Sequence, residues 1–140
     1  VITPSTFPGG TSLTDLAVYT DAGPDGVCGG TPHMHLASTE AYIVTGGTGE
    51  LQTIDARGFQ RTPLSAGVVV WFTPGTVHRA VNTGDLSVVV LMSNAGLPEA
   101  GDAVMTFPAD VLADPERYAR AARIPAGAHE RDRAAAAAAR

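Results

Sequence analysis

Turn-forming residues recur at such short intervals in this chain that many short elements, rather than a few long helices, must make up its fold. Residues 21–26 (Asp-Ala-Gly-Pro-Asp-Gly), 29–32 (Gly-Gly-Thr-Pro), 46–49 (Gly-Gly-Thr-Gly), 74–75 (Pro-Gly) and 82–85 (Asn-Thr-Gly-Asp) are all turn chemistry. The segments between them are apolar or alternating, and each is only long enough for a strand. Counting the returns gives at least seven strands at close spacing, the pattern of an all-β barrel or sandwich. With 140 residues, 44% of them hydrophobic, the chain suits one domain with one core.

The spacing assigns residues 1–12 to an N-terminal arm, 13–107 to the barrel, 108–125 to a helical segment and 126–140 to an Ala/Arg-rich tail. Residues 40–45 and 50–55 are predicted strands joined as a hairpin through the glycines of 46–49. A second hairpin turn is predicted at 82–85, and residues 56–65 are expected to form a turn with short edge pairing. The continuously apolar run at 67–72 (Gly-Val-Val-Val-Trp-Phe) reads as a strand covered on both faces. Residues 103–107 fit a last strand. Asp114-Pro115-Glu116 reads as an N-cap, first helical position and acidic first turn. Arg117, Arg120 and Arg123 then share a solvated face, while Tyr118 and Ala122 dock on the barrel.

Charge and composition exclude several classes of function. A net charge of −5 and a pI near 5.1 leave no basic stripe for nucleic acid. All nine basic residues are Arg, so Schiff-base and Lys-base chemistry drop out. Cys28 is the single cysteine and has no partner for an intramolecular disulfide. The apolar runs at 68–72 and 88–92 are far too short to span a membrane. No leader is read in the sequence, and a cytoplasmic location is the expectation.

The chemistry is concentrated in residues 33–45. His33 and His35, two apart on an extended segment, project from one face and can converge on a point. Glu40 opens the next strand and can approach the same point, and His78 follows the apolar run at 67–72. Three of the four histidines thus fall in strand contexts; the fourth, His129, lies in the tail. Three neutral imidazoles and a carboxylate form a borderline donor set for one divalent transition metal (Fe, Mn, Ni, Zn, Co or Cu). With no thiolate among four donors, an open site is favoured over a closed structural one.

Residues 33–47 resemble the first motif of the cupin superfamily, in which a Gly precedes an HxH, a Glu follows and a second Gly closes the motif. His33, His35, Glu40 and Gly47 keep that spacing; Val27 stands where the leading Gly belongs, with Gly26 one residue away. Residues 67–82 resemble the second motif through Gly67, Gly75, His78 and Asn82, with Thr73 in the Pro position and Pro74 shifted by one. The resemblance implies a double-stranded β-helix (jelly-roll) barrel, a single-domain monocupin, with His33, His35, Glu40 and His78 as metal ligands. It also implies dimerisation through sheet edges, here a homodimer. It names no reaction, since proteins of this kind include dioxygenases, isomerases, cyclases and sensors.

Phase from Glu40 turns Tyr42 and Val44 inward, so Tyr42 is a candidate to orient substrate or relay a proton, or a packed aromatic. Asn82 is either a ligand contact or a turn former. Trp71 and Phe72 face opposite sides, and the sequence does not say which lines the interior. Arg79 should point away from His78, while Arg57 and Arg61 fall in a loop able to fold over a barrel mouth. A lining with few ionisable groups suits a small uncharged organic ligand. Two functions follow: a metal-dependent enzyme, dioxygenase-like or isomerase/cyclase-like, in which Glu40 serves as ligand and base; or a non-catalytic module that binds or senses a small metabolite such as a sugar.

Overall fold

The computed structural model describes residues 8–23, 25–95, 97 and 101–123. Within them seven strands run in chain order: β1 (Ser12–Ala17), β2 (His33–His35), β3 (Glu40–Asp55), β4 (Gly58–Ser65), β5 (Val69–Phe72), β6 (Val77–Met92) and β7 (Ala103–Met105). Two short helices follow, α1 (Ala109–Leu112) and α2 (Pro115–Ala122). The tail beyond residue 123, with His129, lies outside the described residues, as does most of the N-terminal arm.

β3 and β6 run antiparallel over nearly their whole length, and each serves two sheets. The first half of β3 lies between β5 and the second half of β6, which also pairs β1. The second half of β3 lies between β4 and the first half of β6, which pairs β2 and through it β7. The result is a four-stranded and a five-stranded layer sharing two bent strands, the jelly-roll arrangement.

The two expected hairpins, at 46–49 and 82–85, are therefore not reversals. Each is a bend within one sixteen-residue strand, and the bends face each other, with register shifts between Val44 and Gly49. Gly47 has φ +70°, and a Cβ there would lie 2.2 Å from the Asp85 carbonyl oxygen, so the glycine supports a bulge between close backbones. Asn82 ties the opposite bend, its Oδ1 accepting from Gly84 and Leu86 N–H and its Nδ2 donating to the Val18 carbonyl. Asn82 is thus a turn former.

Two further expectations change. Residues 58–65 form a full edge strand rather than a short pairing, and Pro63 is accommodated because, among the described residues, β4 pairs on one side only. The run at 67–72 is not covered on both faces: among the described residues β5 pairs only with β3, and Val69 and Trp71 are exposed, the latter at 72%, while Phe72 turns inward. Hydrophobicity there reflects an exposed face, not a second covering layer.

Inward positions alternate as a two-layer fold requires, and Tyr42, Val44, Leu51, Leu64, Phe72, Leu86, Val88, Val90 and Met92 form the core. The helical segment begins as the sequence indicates. Asp114 accepts from Glu116 and Arg117 N–H and Pro115 takes the first turn. The Tyr118 hydroxyl accepts from Met105 N–H at 3.0 Å, its ring meets Phe107, and Arg117, Arg120 and Arg123 stay exposed.

Candidate metal centre

The loop before β2 lies against β6 and delivers the first two histidines. Gly30 N–H donates to the Ala80 carbonyl and Asn82 N–H to that of Cys28. At Gly29, φ +145°, a Cβ would sit 2.2 Å from the Ala80 oxygen, so no side chain fits. This contact sets His33 opposite His78 in the β2–β6 pair. β2 carries His35 to the same side, a four-residue turn leads to Glu40, and Glu40 enters β3 opposite Phe72 and Met92.

These four residues come together: one donor atom from each of His33, His35, Glu40 and His78 lies within 4.8 Å of all the others. His35 and Glu40 are each 3% exposed and His78 1%. Each imidazole is fixed through Nδ1. His33 Nδ1 donates to the Thr31 carbonyl at 2.8 Å, His78 Nδ1 to that of Thr76 at 3.0 Å, and His35 Nδ1 to Asp102 Oδ1 at 2.8 Å. A ring that carries its proton on Nδ1 keeps a lone pair on Nε2.

The Nε2 atoms of His35 and His78 each lie 3.1 Å from Glu40 Oε2. Glu40 Oε2 and His78 Nε2 are both buried without a hydrogen-bond partner. Facing acceptors at that distance repel unless a cation stands between them, and buried polar atoms are rarely left unpaired. The donor set therefore fits a metal ion by chemistry as well as position.

The electrostatics agree. Burial, aided by His78, pushes His33 down to about 4 despite the Thr31 carbonyl. Burial also opposes charge on His35, yet Glu40 and Asp102 on its two sides overcome it and raise its pKa. Burial would raise Glu40, but His35 and His78 outweigh it and hold the carboxyl at about 2. The two carboxylates thus favour positive charge on His35, at the place a cation would take.

A cavity of about 210 Å³ adjoins the donors, lined by Tyr42 and, toward the β1 and β7 edges, by Leu16, Tyr19, Ala103 and Met105. Tyr42 is buried, its ring 5.5 Å from Phe72 and 6.5 Å from His78. Phe72 lies closer, 4.0 Å from the His78 ring, and walls the centre on the side away from Trp71. Arg79 also borders the cavity, but its guanidinium is committed to Asp25 and Gln52. Arg57 is paired to Asp55, and Arg61 lies within β4 beside Glu50 rather than in a mobile loop.

Asp102 is the functional residue that the sequence reading missed. It lies 67 positions from His35, and no local pattern marks it. Its Oδ2 also accepts from Ala37 and Ser38 N–H. Those bonds hold its carboxyl well below the usual carboxylate range despite burial.

A small two-layer β-barrel of the double-stranded β-helix kind thus brings three histidines and a carboxylate together inside it, a cluster that could hold a metal ion. The Cupin domain signature matches residues 23–94, just over half of the chain, and the protein belongs to the cupin family. Its fold is shared with Pac13 of Streptomyces, described as a nucleoside dehydratase and also seen with uridine. That likeness has 14% identity, 72% of each chain covered and a TM-score of 0.53. The WlaRB TDP-quinovose 3,4-ketoisomerase of Campylobacter jejuni is similar at 14% identity, with 67% of this chain and 68% of that one covered and a TM-score of 0.53. No curated protein matches the chain. Among the described residues no helix is long and apolar enough to cross a membrane.

Proposed function

We propose that this protein is a metal-dependent enzyme that acts on a small, uncharged, hydroxyl-bearing molecule in the cavity beside His33, His35, Glu40 and His78. One observation carries the metal: Glu40 Oε2 and His78 Nε2, both buried, face each other at 3.1 Å without a hydrogen bond. These four residues would hold a divalent transition ion, which supplies Lewis acidity toward a substrate oxygen or a redox centre. Tyr42 lines the cavity and would orient the substrate through its hydroxyl. Leu16 and Met105 give the cavity an apolar wall, and Phe72 packs against the His78 ring. The guanidinium that borders the cavity among the described residues, that of Arg79, is already paired, which favours an uncharged ligand over a phosphate. That Pac13 is a dehydratase and WlaRB a ketoisomerase supports reactions that move protons on a hydroxylated ring, and the dioxygenase-like alternative stays within the same donor set.

The test is metal content of untagged protein purified without chelators, beside His78→Ala. Near-stoichiometric transition metal lost in the variant is the expected result; metal-free protein that also fails to take up added Zn²⁺, Mn²⁺ or Fe²⁺ refutes the proposal. Incubation of the loaded protein with nucleosides and hexoses in D₂O, read by NMR, then separates enzyme from sensor. Deuterium entering a ring carbon or a new product marks turnover, and tight binding without either marks a sensing module.

A further inference from the structure

We infer that Asp102 is a positioning residue that sets the tautomer of His35 and so decides whether that ring can accept a metal. The inference rests, for its consequence, on the metal-centre reading above. Asp102 is remote in sequence and only 10% exposed, and it divides its two oxygens. Oδ1 accepts from His35 Nδ1 at 2.8 Å, and Oδ2 accepts from the Ala37 and Ser38 N–H groups at 2.9 and 2.8 Å. It thereby fixes the turn between His35 and Glu40, as well as the ring. His33 and His78 lean on backbone carbonyls, which are acceptors only and leave no choice of tautomer. His35 alone depends on a side chain, and a carboxylate behind a ligating imidazole orients the ring and raises its basicity.

The geometry makes an isosteric amide revealing. In Asp102→Asn, an amide oxygen in the Oδ2 position keeps both backbone donors, and the NH₂ then faces His35 Nδ1. That nitrogen must accept, so the ring proton moves to Nε2, where Glu40 Oε2 waits at 3.1 Å. His35 and the amide are then both satisfied, and the His35 lone pair toward the metal position is gone. The flipped amide would set its NH₂ against two backbone N–H groups, leaving both unpaired, and is disfavoured. Asp102→Ala removes the bonds but leaves His35 free to choose either tautomer.

The experiment compares wild type, Asp102→Asn and Asp102→Ala by chelator competition with Zn²⁺, thermal melting of the metal-free proteins and nitrogen shifts of the histidine rings at neutral pH. Asp102→Ala is expected to weaken Zn²⁺ binding by about 10–100-fold. Asp102→Asn is expected to bind more weakly still while melting above Asp102→Ala, an inverted order that a merely structural role would not produce. His35 Nδ1 should carry a proton in the wild type and none in Asp102→Asn. Zn²⁺ binding by Asp102→Asn as tight as by Asp102→Ala, or a protonated Nδ1 in that variant, overturns the proposal. If wild type takes up no metal yet the ring proton moves in Asp102→Asn, the metal reading fails and the tautomer assignment stands.

Discussion

Acidification should destabilise the metal-free barrel over a window set by His33. Its folded pKa is about 4 against an ordinary 6.5, chiefly because burial disfavours the charged ring. Between those values the unfolded chain binds a proton that the folded one refuses, so stability falls as pH drops through the window and is intact above it. Each unit of pKa difference corresponds to about 1.36 kcal/mol. Titration of this single group at pH 5 then gives a loss of roughly 2 kcal/mol, or several degrees in melting temperature. Glu40, held at about 2 against an ordinary 4.5, keeps its contribution through this range and loses it only below. His35 runs the other way: its raised pKa stabilises below 6.5, and that contribution is lost as pH rises through the folded value. The metal-free protein should therefore be most stable near pH 6.5, with an acid limb from His33 and an alkaline limb from His35. Urea unfolding from pH 4.5 to 8.5 measures both limbs, and His33→Gln should flatten the acid one alone. Stability that is flat or rising between pH 6.5 and 5, or an acid limb unchanged in His33→Gln, would refute the reasoning.

Metal binding at pH 6, below the ordinary histidine value and so below the raised one of His35, should release a proton, because the metal displaces the one that Glu40 and Asp102 favour on that ring; the dependence of binding heat on buffer ionisation enthalpy measures it, and no dependence counts against the assignment. Gly47→Ala should cost ~3 kcal/mol or more, combining a left-handed backbone with overlap on the Asp85 carbonyl. Gly46→Ala, whose Cβ meets nothing within 4 Å, should change the urea midpoint little.

The parts of the site that follow from period and spacing were legible. Two-residue alternation places His33 with His35 and Tyr42 with Glu40, and the Asp114-Pro115-Glu116 start of α2 is a local signal read correctly. Glycines misled at 46–49, since Gly-rich stretches mark hairpins and bulges alike. Only the register with residues 82–87 shows that the strand continues. The apolar run at 67–72 misled for a related reason: composition does not distinguish a strand buried on two faces from an edge strand with an exposed tryptophan. Asp102 was illegible because its partner is 67 residues away and nothing around it marks the contact.

Those misread bends have a consequence for the centre. Because β3 changes layers at 46–49, its first residue, Glu40, belongs to the four-stranded layer, while His33, His35 and His78 belong to the five-stranded one. An ion held by all four donors would join the two layers inside the barrel. Binding to the folded state alone stabilises by RT ln(1 + [L]/Kd), about 2.7 kcal/mol at a hundredfold excess over Kd. The joint also fixes where protection should appear. Added Zn²⁺ should slow amide exchange in both layers of the wild type, at Tyr42 and Val90 as well as at Ala80 and Leu51. Glu40→Gln, which weakens the only donor from the four-stranded layer, should keep zinc-dependent protection near His33 and His78 and lose it near Tyr42 and Val90. Equal protection of both layers in that variant would mean that the histidines alone hold the ion and that the carboxylate is not the link.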